Sequence, residues 1–413
     1  MIDLSNSYGA YKDSGVPWLG KLPAHWDVVR NKSIFAERSE RSSTGEEILL
    51  TVSHITGVTP RSEKNVNMFM ADSMAGYKLC QQGDLLINTM WAWMGALGTS
   101  QYRGICSPAY GVYAPRKEVP YDARYFDYLY RIPASVAEMT RYSKGIVSSR
   151  LRLYTREFYQ IQTILPPLAE QRAIADYLDK KTGVIDQKIT LLTEKAARYA
   201  QLKQALINET VTRGLDKTAP MKESGVDWIG RIPAHWQMYR IKDVAFLKSG
   251  NSIVAQQIET EGSYPVYGGN GLRGFYRNFT HEGEYILIGR QGALCGNINF
   301  ASGKFWASEH AIVVHHKKNV EVLWFGELLR FMNLNQYSLS AAQPGLSVDR
   351  IKQLLIPLPP LSEQIKISEY LNTKFDKINQ VIEAINRQIE NLKDLRKSLI
   401  NDVVTGKIKV GAE

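Results

Sequence analysis

The chain contains one short sequence twice, Leu165-Pro166-Pro167-Leu168-Ala169-Glu170-Gln171 and Leu358-Pro359-Pro360-Leu361-Ser362-Glu363-Gln364. Each copy opens a long run without proline, and the runs end at Gly214 and Gly406. Proline disfavours helix in the residues before it, and glycine is a common helix stop. Both runs are therefore bounded as single helices, and they organise the rest of the chain.

Both runs also have the apolar spacing of a coiled coil. Alternating steps of four and three residues define the a/d seam of such helices. In the second run this spacing connects Ile378, Ile382, Ile385, Ile389 and Leu392, and after a one-step slip it continues to Leu395 and Leu399. The matching positions of the first run are Ile185, Ile189, Leu192, Ala196, Tyr199, Leu202 and Leu206. A narrow stripe with charged flanks favours two helices of roughly 65 Å packed on each other, rather than a helix buried in its own globule. Gly183 is the weak point of the first run and a candidate bend.

A second repeat fixes the domain organisation. Residues 12–30 and 222–240 are identical at eleven of nineteen positions, and both contain Pro-Ala-His-Trp. The chain is thus a tandem of opening motif, globular region and long helix, which predicts an internal pseudo-two-fold repeat. The predicted parts are a first globular domain at 1–164, a spacer helix at 165–214, a second globular domain at 215–357 and a second spacer helix at 358–413.

The two globular regions are predicted to be α+β. Short apolar runs between glycines indicate strands, and a helical pattern follows each set. The predicted strands are 48–52, 84–87, 111–114, 285–288 and 311–314, and the predicted helices are 123–130 and 323–332. Gly83-Asp84 has its counterpart in Gly283-Glu284, whereas residues 88–93 and 289–291 differ. A shared scaffold with different loops is expected of two readers of different ligands.

Composition narrows the class of protein. The 413 residues, 44% of them hydrophobic, predict at least two domains with real cores. No apolar run reaches membrane-spanning length, and the first residues do not form a signal peptide. Three widely separated cysteines, Cys80, Cys106 and Cys295, argue against a disulfide framework and for a cytoplasmic protein. The net charge of +10 suits a polyanionic partner.

Patterns for cofactor binding and catalysis are incomplete. Residues 269–274 have the glycine spacing of a dinucleotide-binding motif, but they run into Phe275-Tyr276 instead of a helix. A glycine turn that presents Asn270 and Arg273 is favoured. Residues 165–168 lack the amide and the aromatic ring of the amino-methyltransferase motif. Neither a P-loop, a glycine loop for S-adenosylmethionine nor a nuclease carboxylate set is evident, so this chain is not predicted to be an enzyme.

The histidines also have simpler explanations than a metal site. The three at positions 310, 315 and 316 have no cysteine or carboxylate set at ligand spacing, apart from Glu309. They are interpreted as structural or solvent-facing, and no metal is predicted. His25 and His235 each precede a tryptophan in the duplicated motif, which indicates a packing corner.

Polar and basic loops mixed with aromatic residues remain as candidates for DNA binding. Arginine suits guanine edges, asparagine and glutamine suit adenine edges, and serine, threonine and lysine suit phosphates. Any one of these side chains could equally be an ordinary surface residue, so the prediction concerns two groups on equivalent loops. The first group is Asn88, Thr89, Trp91, Trp93, Lys144, Ser148, Arg150 and Arg152; the second is Tyr267, Asn270, Arg273, Arg290, Gln291, Gln343 and Ser347.

The complete pattern resembles the specificity subunits of type I restriction–modification systems. The resemblance covers essentially the whole chain. Its most specific elements are residues 165–178 and 358–371, which share nine of fourteen positions, the duplicated Trp-x-Gly-x-x-Pro-Ala-His-Trp, and residues 264–271.

This resemblance implies a non-catalytic subunit with two target-recognition domains. Each would read one half of a split site on double-stranded DNA, and the two long helices would pair antiparallel as a spacer. Two modification subunits using S-adenosylmethionine, and restriction (motor-nuclease) subunits using ATP and magnesium, would dock on it. The family's base-contacting residues are not transferable, because these loops vary most between members.

Helix length adds a prediction about the DNA site. Helices of this length could hold the readers on the order of 50 Å apart, or about fifteen base pairs at ~3.4 Å each. The expected site is asymmetric, with two half-sites and a fixed gap. The alternatives are a self-sufficient DNA methyltransferase or nuclease with an unfamiliar site, and a DNA-binding scaffold of an assembly without methyltransferase subunits.

Overall fold

The structure is a computed structural model that describes residues 7–64, 73–147, 150–292, 294–317, 319–338 and 345–411. It divides into two compact units. The first unit combines Met1–Leu192 with Arg387–Glu413, and the second is Thr193–Asn386. Each unit therefore contains one globular region and a part of each long helix. No helix in the described part of the chain has both the length and the apolar composition of a membrane span.

The first unit is α+β, with mostly short strands. Its strands are β1 (Tyr11–Asp13), β2 (Lys21–Pro23), β3 (Asp27–Arg30), β4 (Phe35–Glu37), β5 (Leu50–Ser53), β6 (Gly57–Pro60), β7 (Lys78–Cys80), β8 (Leu85–Asn88), β9 (Leu97–Thr99), β10 (Gly104–Cys106), β11 (Tyr110–Pro115) and β12 (Gln162–Leu165). Its helices are α1 (Asn31–Ile34), α2 (Ala123–Arg131), α3 (Pro133–Tyr142), α4 (Thr155–Gln160) and the first part of α5 (Leu168–Arg213).

An antiparallel sheet in the order β4-β11-β8-β9 forms the centre of this unit. The opening motif forms the hairpin β1–β2, and β3 pairs with β12 immediately before the first long helix. The core is rich in aromatic rings: Phe35, Tyr113, Phe126, Tyr130 and Phe158 are all essentially inaccessible. The apolar runs at 84–87 and 111–114 thus correspond to the central strands of the sheet.

The second unit repeats the main features. Its strands are β13 (Met221–Glu223), β14 (Arg231–Pro233), β15 (Gln237–Arg240), β16 (Ala245–Ser249), β17 (Tyr264–Gly268), β18 (Gly271–Tyr276), β19 (His281–Glu282), β20 (Tyr285–Gly289), β21 (Ile298–Ala301), β22 (Lys304–Ala307), β23 (Ala311–His316) and β24 (Leu355–Leu358). Its helices are the last part of α5, α6 (Ile241–Val244), α7 (Val322–Phe331), α8 (Val348–Ile351) and the first part of α9 (Leu361–Val404).

Its main sheet has the order β16-β23-β20-β21 and is antiparallel throughout, as in the first unit. The hairpin β13–β14 and the pair β15–β24 also have counterparts there. A second sheet, in the order β18-β17-β22-β19, contains one parallel pair, β17 with β22. The two units therefore share one scaffold and differ in what is built around it.

The two long helices are confirmed. Helix α5 has 46 residues and α9 has 44, or roughly 69 and 66 Å at ~1.5 Å per residue. Helix α5 continues without interruption through Gly183. It begins directly after Pro167 and ends directly before Gly214, because both signals act locally on the backbone. The predicted segment 165–214 starts three residues earlier, since Leu165 still belongs to β12.

Each unit contains antiparallel contacts between these helices. In the first unit Asp186, early in α5, forms an ion pair of 2.9 Å with Arg396, late in α9. In the second unit Lys203, late in α5, donates to Asn379 Oδ1 at 3.3 Å and lies over the ring of Phe375, early in α9. These contacts agree with the predicted antiparallel pairing.

The predicted seam is correct near the middle of α9, but some of the predicted positions in α5 and α9 are exposed. Ile378, Ile385 and Ile389 are buried, whereas Leu202 and Leu395 are 46% and 41% exposed. An α-helix of 3.6 residues per turn drifts by about 20° per heptad from a strict 3.5-residue repeat. Leu399 is buried again, at 5% exposed, so the exposed position Leu395 coincides with the one-step slip of the repeat.

Candidate nucleic-acid interface

The duplicated motifs contact each other within the first unit. His25 Nε2 lies 2.5 Å from one carboxylate oxygen of Glu170, and Trp26 Nε1 donates to the other oxygen at 3.0 Å. Partial burial acts to raise the pKa of Glu170, but hydrogen bonds from Trp26, His25 and Tyr8 hold it below the usual value. Glu170 is therefore a charged acceptor that joins the start of α5 to the opening motif, and the predicted packing corner at His25 is confirmed.

The same arrangement occurs in the second unit. Trp236 Nε1 donates to Glu363 at 3.1 Å, and His235 Nε2 lies 2.9 Å from the same carboxylate oxygen. The indole of Trp236 is completely buried. The repeated Glu and the repeated His-Trp are thus two halves of one joint, present once in each unit.

The glutamine that follows this glutamate is also structural. Gln171 is buried, and its amide oxygen accepts from the backbone N–H of Asp122 at 2.8 Å. Its amide nitrogen donates to the carbonyl oxygens of Pro120 and Pro166 at 3.0 and 2.8 Å. Asp122 in turn caps α2 by accepting from two backbone N–H groups of its first turn. One side chain therefore fixes the start of α5 and the start of α2 together.

Gln364 makes the equivalent contacts in the second unit. Its amide oxygen accepts from the N–H of Glu321 at 2.9 Å, and its nitrogen donates to the carbonyl oxygens of Asn319 and Pro359 at 3.2 and 2.9 Å. Glu321 caps α7 through Trp324 N–H. Because the scaffold is held by the repeated residues, the loops at its surface are free to differ between the units.

The first group of predicted DNA-binding residues comes together in the structure. The backbone N–H of Leu153 donates to the carbonyl of Thr89 at 3.0 Å. Lys144 and Arg152 exchange two backbone hydrogen bonds of 2.9 Å, which close the loop between them. The turn after β8 and the loop before α4 are therefore neighbours on one surface.

Not all members of this group face solvent. Asn88 is 5% exposed, and its side-chain oxygen accepts from Met90 N–H. Thr89 donates to the carbonyl of Ala109, and Trp93 donates to the carbonyl of Met90. These side chains build the turn. Trp91, at 51% exposed, is presented outward by it.

The loop before α4 supplies the exposed charge of this surface. Arg150 and Arg152 are both exposed, whereas Lys144 forms a 2.6 Å ion pair with Glu157 that offsets its charge. Ser148 lies outside the described residues. Ile146 and Val147 were not predicted from the sequence, and they are also exposed in the same loop. The surface therefore combines guanidinium groups with apolar side chains.

The second predicted group is partly gathered around a cleft of about 460 Å³. Asn270, Arg273, Gln291 and His310 line it. Asn270 accepts from Asn297 Nδ2 at 2.9 Å, and Gln291 Oε1 accepts from His310 Nδ1 at 3.2 Å. In the glycine pattern at 269–274, Gly269 and Asn270 form the turn of the β17–β18 hairpin and the rest begins β18, so the pattern is a glycine turn, as predicted, and not a phosphate loop.

The remaining members of the second group occupy different positions. The carbonyl of Arg290 accepts from Leu346 N–H at 2.9 Å, so Arg290 and Ser347 belong to adjacent segments. Tyr267 packs edge-on against Phe305 within the second sheet. Gln343 lies outside the described residues. Asn270, Arg273 and Gln291 are thus the part of the group that shares one concave surface.

The cysteines are not placed for chemistry. All three are buried, and burial raises the pKa of the Cys80 thiol to about 11 and of the Cys106 thiol to about 12. Neither is a thiolate near neutral pH, so neither is an activated nucleophile. Within the described ranges, no three His, Cys, Asp or Glu side chains are grouped closely enough to hold a metal ion.

Comparison with known proteins agrees with this architecture. Residues 233–391 match the family model of the type I restriction modification DNA specificity domain. The chain is 40% identical over 149 residues to the type I restriction enzyme EcoprrI specificity subunit of Escherichia coli, a match that covers 35% of this chain and 37% of that protein. It is 24% identical over 284 residues to the MjaVIII specificity subunit of Methanocaldococcus jannaschii, covering 61% and 63% of the two chains.

Solved structures share the fold over nearly the whole length. One, from work on the assembly and conformational transition of the type I R-M system, matches with a TM-score of 0.71 at 18% identity, over 93% of this chain and 98% of that one. The HsdS subunit from Thermoanaerobacter tengcongensis matches with a TM-score of 0.55 at 19% identity, over 97% and 100%. The segment 233–391 thus matches the type I restriction modification DNA specificity domain, and the chain as a whole has the fold of these solved subunits. Its sequence matches span 37% and 63% of the two curated relatives described above.

Proposed function

We propose that this chain is the non-catalytic DNA-specificity subunit of a type I restriction–modification complex. It would bind a bipartite, asymmetric DNA site, with each unit reading one half-site. The observation that carries this proposal is the paired design of the units. Each has the same four-stranded sheet and the same Glu-Gln joint, while the loops at Asn88–Trp93 and at Gly289–Gln291 differ. Such a pair reads two different sequences from one frame.

The chemistry of the two surfaces supports DNA as the ligand. Arg150 and Arg152 are free to reach guanine edges or phosphates, and the cleft at Asn270 and Arg273 offers amide and guanidinium groups together. The net charge of +10 adds sequence-independent attraction through counterion release. A specificity subunit needs to read the bases directly at a few positions and to attract the DNA backbone elsewhere.

The proposed partners supply the catalysis. Two modification subunits would dock on this chain and methylate adenine with S-adenosylmethionine, and restriction subunits would use ATP and magnesium. The chain itself would use no cofactor, since its repeated polar residues are engaged in structural joints. The site of action would be the cytoplasm, where the DNA to be marked is found, and no membrane partner is proposed.

Methylation-sensitive sequencing of host DNA tests this proposal. Deleting the gene should abolish one methylated bipartite motif, and restoring it should bring the motif back. A gene carrying Arg273→Ala and Gln291→Ala should relax or change the bases of one half-site and leave the other half unchanged. Lys222→Ala, an exposed change on β13 remote from the cleft in sequence, is the matched control. A motif that persists after deletion would rule the proposal out.

Two further experiments separate the alternatives. If the purified chain methylates or cleaves DNA with magnesium and S-adenosylmethionine alone, it is a self-sufficient enzyme. If it co-purifies from its host without methyltransferase subunits, it is a scaffold of another assembly. The proposed function requires inactivity alone and co-purification with modification subunits.

A further inference from the structure

The second unit contains another cleft, whose lining residues differ from those of the cleft at Asn270 and Arg273. Its volume is about 700 Å³, and its walls come from β16, β17, β22, β23 and the segment before β19. Four basic side chains line it: Lys248, Arg277, His281 and His315. The described residues around it contribute no carboxylate. None of these residues lines the cleft at Asn270 and Arg273.

The basic groups are not neutralised by the protein. Lys248 and Arg277 are exposed, and neither has an ion pair or side-chain hydrogen bond within the described part of the chain. The ring centres of His281 and His315 are 5.5 Å apart. Lys248 and Arg277 are two cations in one concave surface, which repel one another and concentrate the field on an anion that enters it. The cleft is therefore complementary to a negatively charged ligand.

Aromatic side chains form a further part of the walls, and Ser249, Asn251, Asn278 and Thr280 complete the lining. Trp306 meets Tyr276 edge-on at 5.2 Å, and its indole nitrogen donates to the carbonyl of Asn251 at 3.3 Å. Tyr264 and Phe279 make a similar edge-on pair at 5.0 Å. These contacts hold the rings in place at the cleft. Fixed aromatic rings beside cations are the combination that binds a base or sugar next to its phosphate.

We propose that this cleft is a nucleotide-phosphate site, in which Lys248 and Arg277 contact the phosphate while Trp306 and Tyr264 contact the attached sugar or base. Its volume lies in the range of about 300–1,000 Å³ typical of small-ligand sites. The case in which the nucleotide is part of DNA rests on the proposed function. In that case the site positions the DNA strand without selecting its sequence, because phosphate contacts carry no base information.

The two histidines should report on an occupied site. Burial lowers the pKa of His281, and His315 and Lys248 lower it further. Burial, Lys248 and His316 do the same for His315. Tyr285 is the other titratable side chain packed against both rings. A bound phosphate would favour the charged rings, so the pKa of both histidines should rise when the site is occupied.

The first experiment uses the full chain with inorganic phosphate and with deoxyadenosine monophosphate as probes. Calorimetry measures the affinity, and NMR follows the histidine ring signals. The double variant Lys248→Ala, Arg277→Ala should weaken both probes by roughly tenfold or more. The control variant Lys222→Ala should bind them like the unchanged chain. Thermal unfolding of each variant checks the fold, which exposed lysine and arginine changes should leave intact.

The second experiment measures the affinity of the same variants for a mixed-sequence DNA duplex over a range of salt concentrations. Each lost phosphate contact should lower the slope of log affinity against log salt by about 0.9. Loss in both experiments places a DNA strand in the cleft, and loss with the small probes alone identifies a free-nucleotide site. An unchanged double variant in both overturns the proposal. If the chain binds the small probes but no DNA, the proposed function fails and this site stands.

Discussion

The indole nitrogen of Trp26 donates a 3.0 Å hydrogen bond to the carboxylate of Glu170, at the start of the first long helix. Trp236 and Glu363 repeat this bond at 3.1 Å in the second unit. The pair joins two segments that are far apart in the sequence, and both partners belong to repeated motifs. The repeated sequence is therefore explained by assembly of the scaffold, and the proposed DNA reading is assigned to residues that are not repeated.

Replacing Glu170 by glutamine should destabilise the first unit. The amide keeps one acceptor oxygen but places an NH2 group against the donors of His25 and Trp26, so at least one charge-assisted hydrogen bond is lost. We expect the free energy of unfolding to fall by about 1.5–3 kcal/mol, measured by chemical denaturation. Glu118→Gln changes an exposed glutamate of the same unit and serves as the control. Equal stability of the two variants would contradict the structural role of Glu170.

The contribution of Glu170 should also depend on pH. Its pKa is lower in the folded chain than in the unfolded chain. Its stabilisation is therefore complete above the unfolded pKa and is lost as the pH falls through the folded pKa. The stability difference between the unchanged chain and Glu170→Gln should be largest near pH 7 and shrink towards pH 3. A difference that is constant with pH would mean that the carboxylate charge is not involved.

Gly406→Ala should weaken the joint at the end of the second long helix. Gly406 has a φ of +73°, and an added Cβ would lie 2.5 Å from Pro23 Cδ. The left-handed conformation alone costs a residue other than glycine on the order of 1–3 kcal/mol. We expect a clearly lower melting temperature, whereas Gly411→Ala, with open space around its Cβ, should have none of this effect. A normal melting temperature for Gly406→Ala would show that this contact does not form in solution.

Gly183→Ala should have the opposite effect. Gly183 lies within α5, is exposed, and has nothing within 4 Å of the position of a Cβ. Alanine at a helical position is favoured over glycine by about 0.5–1 kcal/mol. Equilibrium unfolding should therefore show a gain of that size. A loss of stability would indicate that the helix is bent or opened at this residue.

Lengthening both long helices should change the gap of the proposed DNA site. The variant has four residues inserted after Leu191 in α5 and four after Asn391 in α9. Each insertion point is five positions from one member of the ion pair between Asp186 and Arg396. They add about 6 Å, close to two base pairs. Sequencing of methylated host DNA should show a longer gap between unchanged half-sites. The same insertion after Lys217, outside the helices, is the control. A change in the half-site bases would disprove the spacer role.

The features that the sequence predicted are those with local causes. Proline and glycine mark the ends of α5 and α9, and unbroken apolar runs mark β8, β11 and β20. These signals act between neighbouring residues, so one sequence is enough to read them. The functional residues depend on more distant contacts. Asn88 looked like a base reader because it is polar and lies at the end of a strand, but the folded unit buries it and leaves it 5% exposed.

The joints at Glu170 and Glu363 and the basic cleft could not be predicted, because they too depend on contacts between residues far apart in the sequence. Glu170 meets His25 across 145 positions of sequence, and no periodic pattern specifies that contact. Lys248, Arg277 and His315 lie on different strands and loops, and only the order of the sheets brings them to one cleft. The repeated residues could be recognised as important, but the structure is needed to say what each of them holds.

The glycine after each long helix has one further consequence. Gly214 approaches Trp236, a short way along the chain, whereas Gly406 approaches Trp26, near the opposite end of the sequence. The same joint is thus made once between segments close together in the sequence and once between segments at opposite ends of it. Its packing does not depend on which peptide bonds connect the parts, so a circularly permuted gene in which the two halves exchange order would encode the same set of contacts.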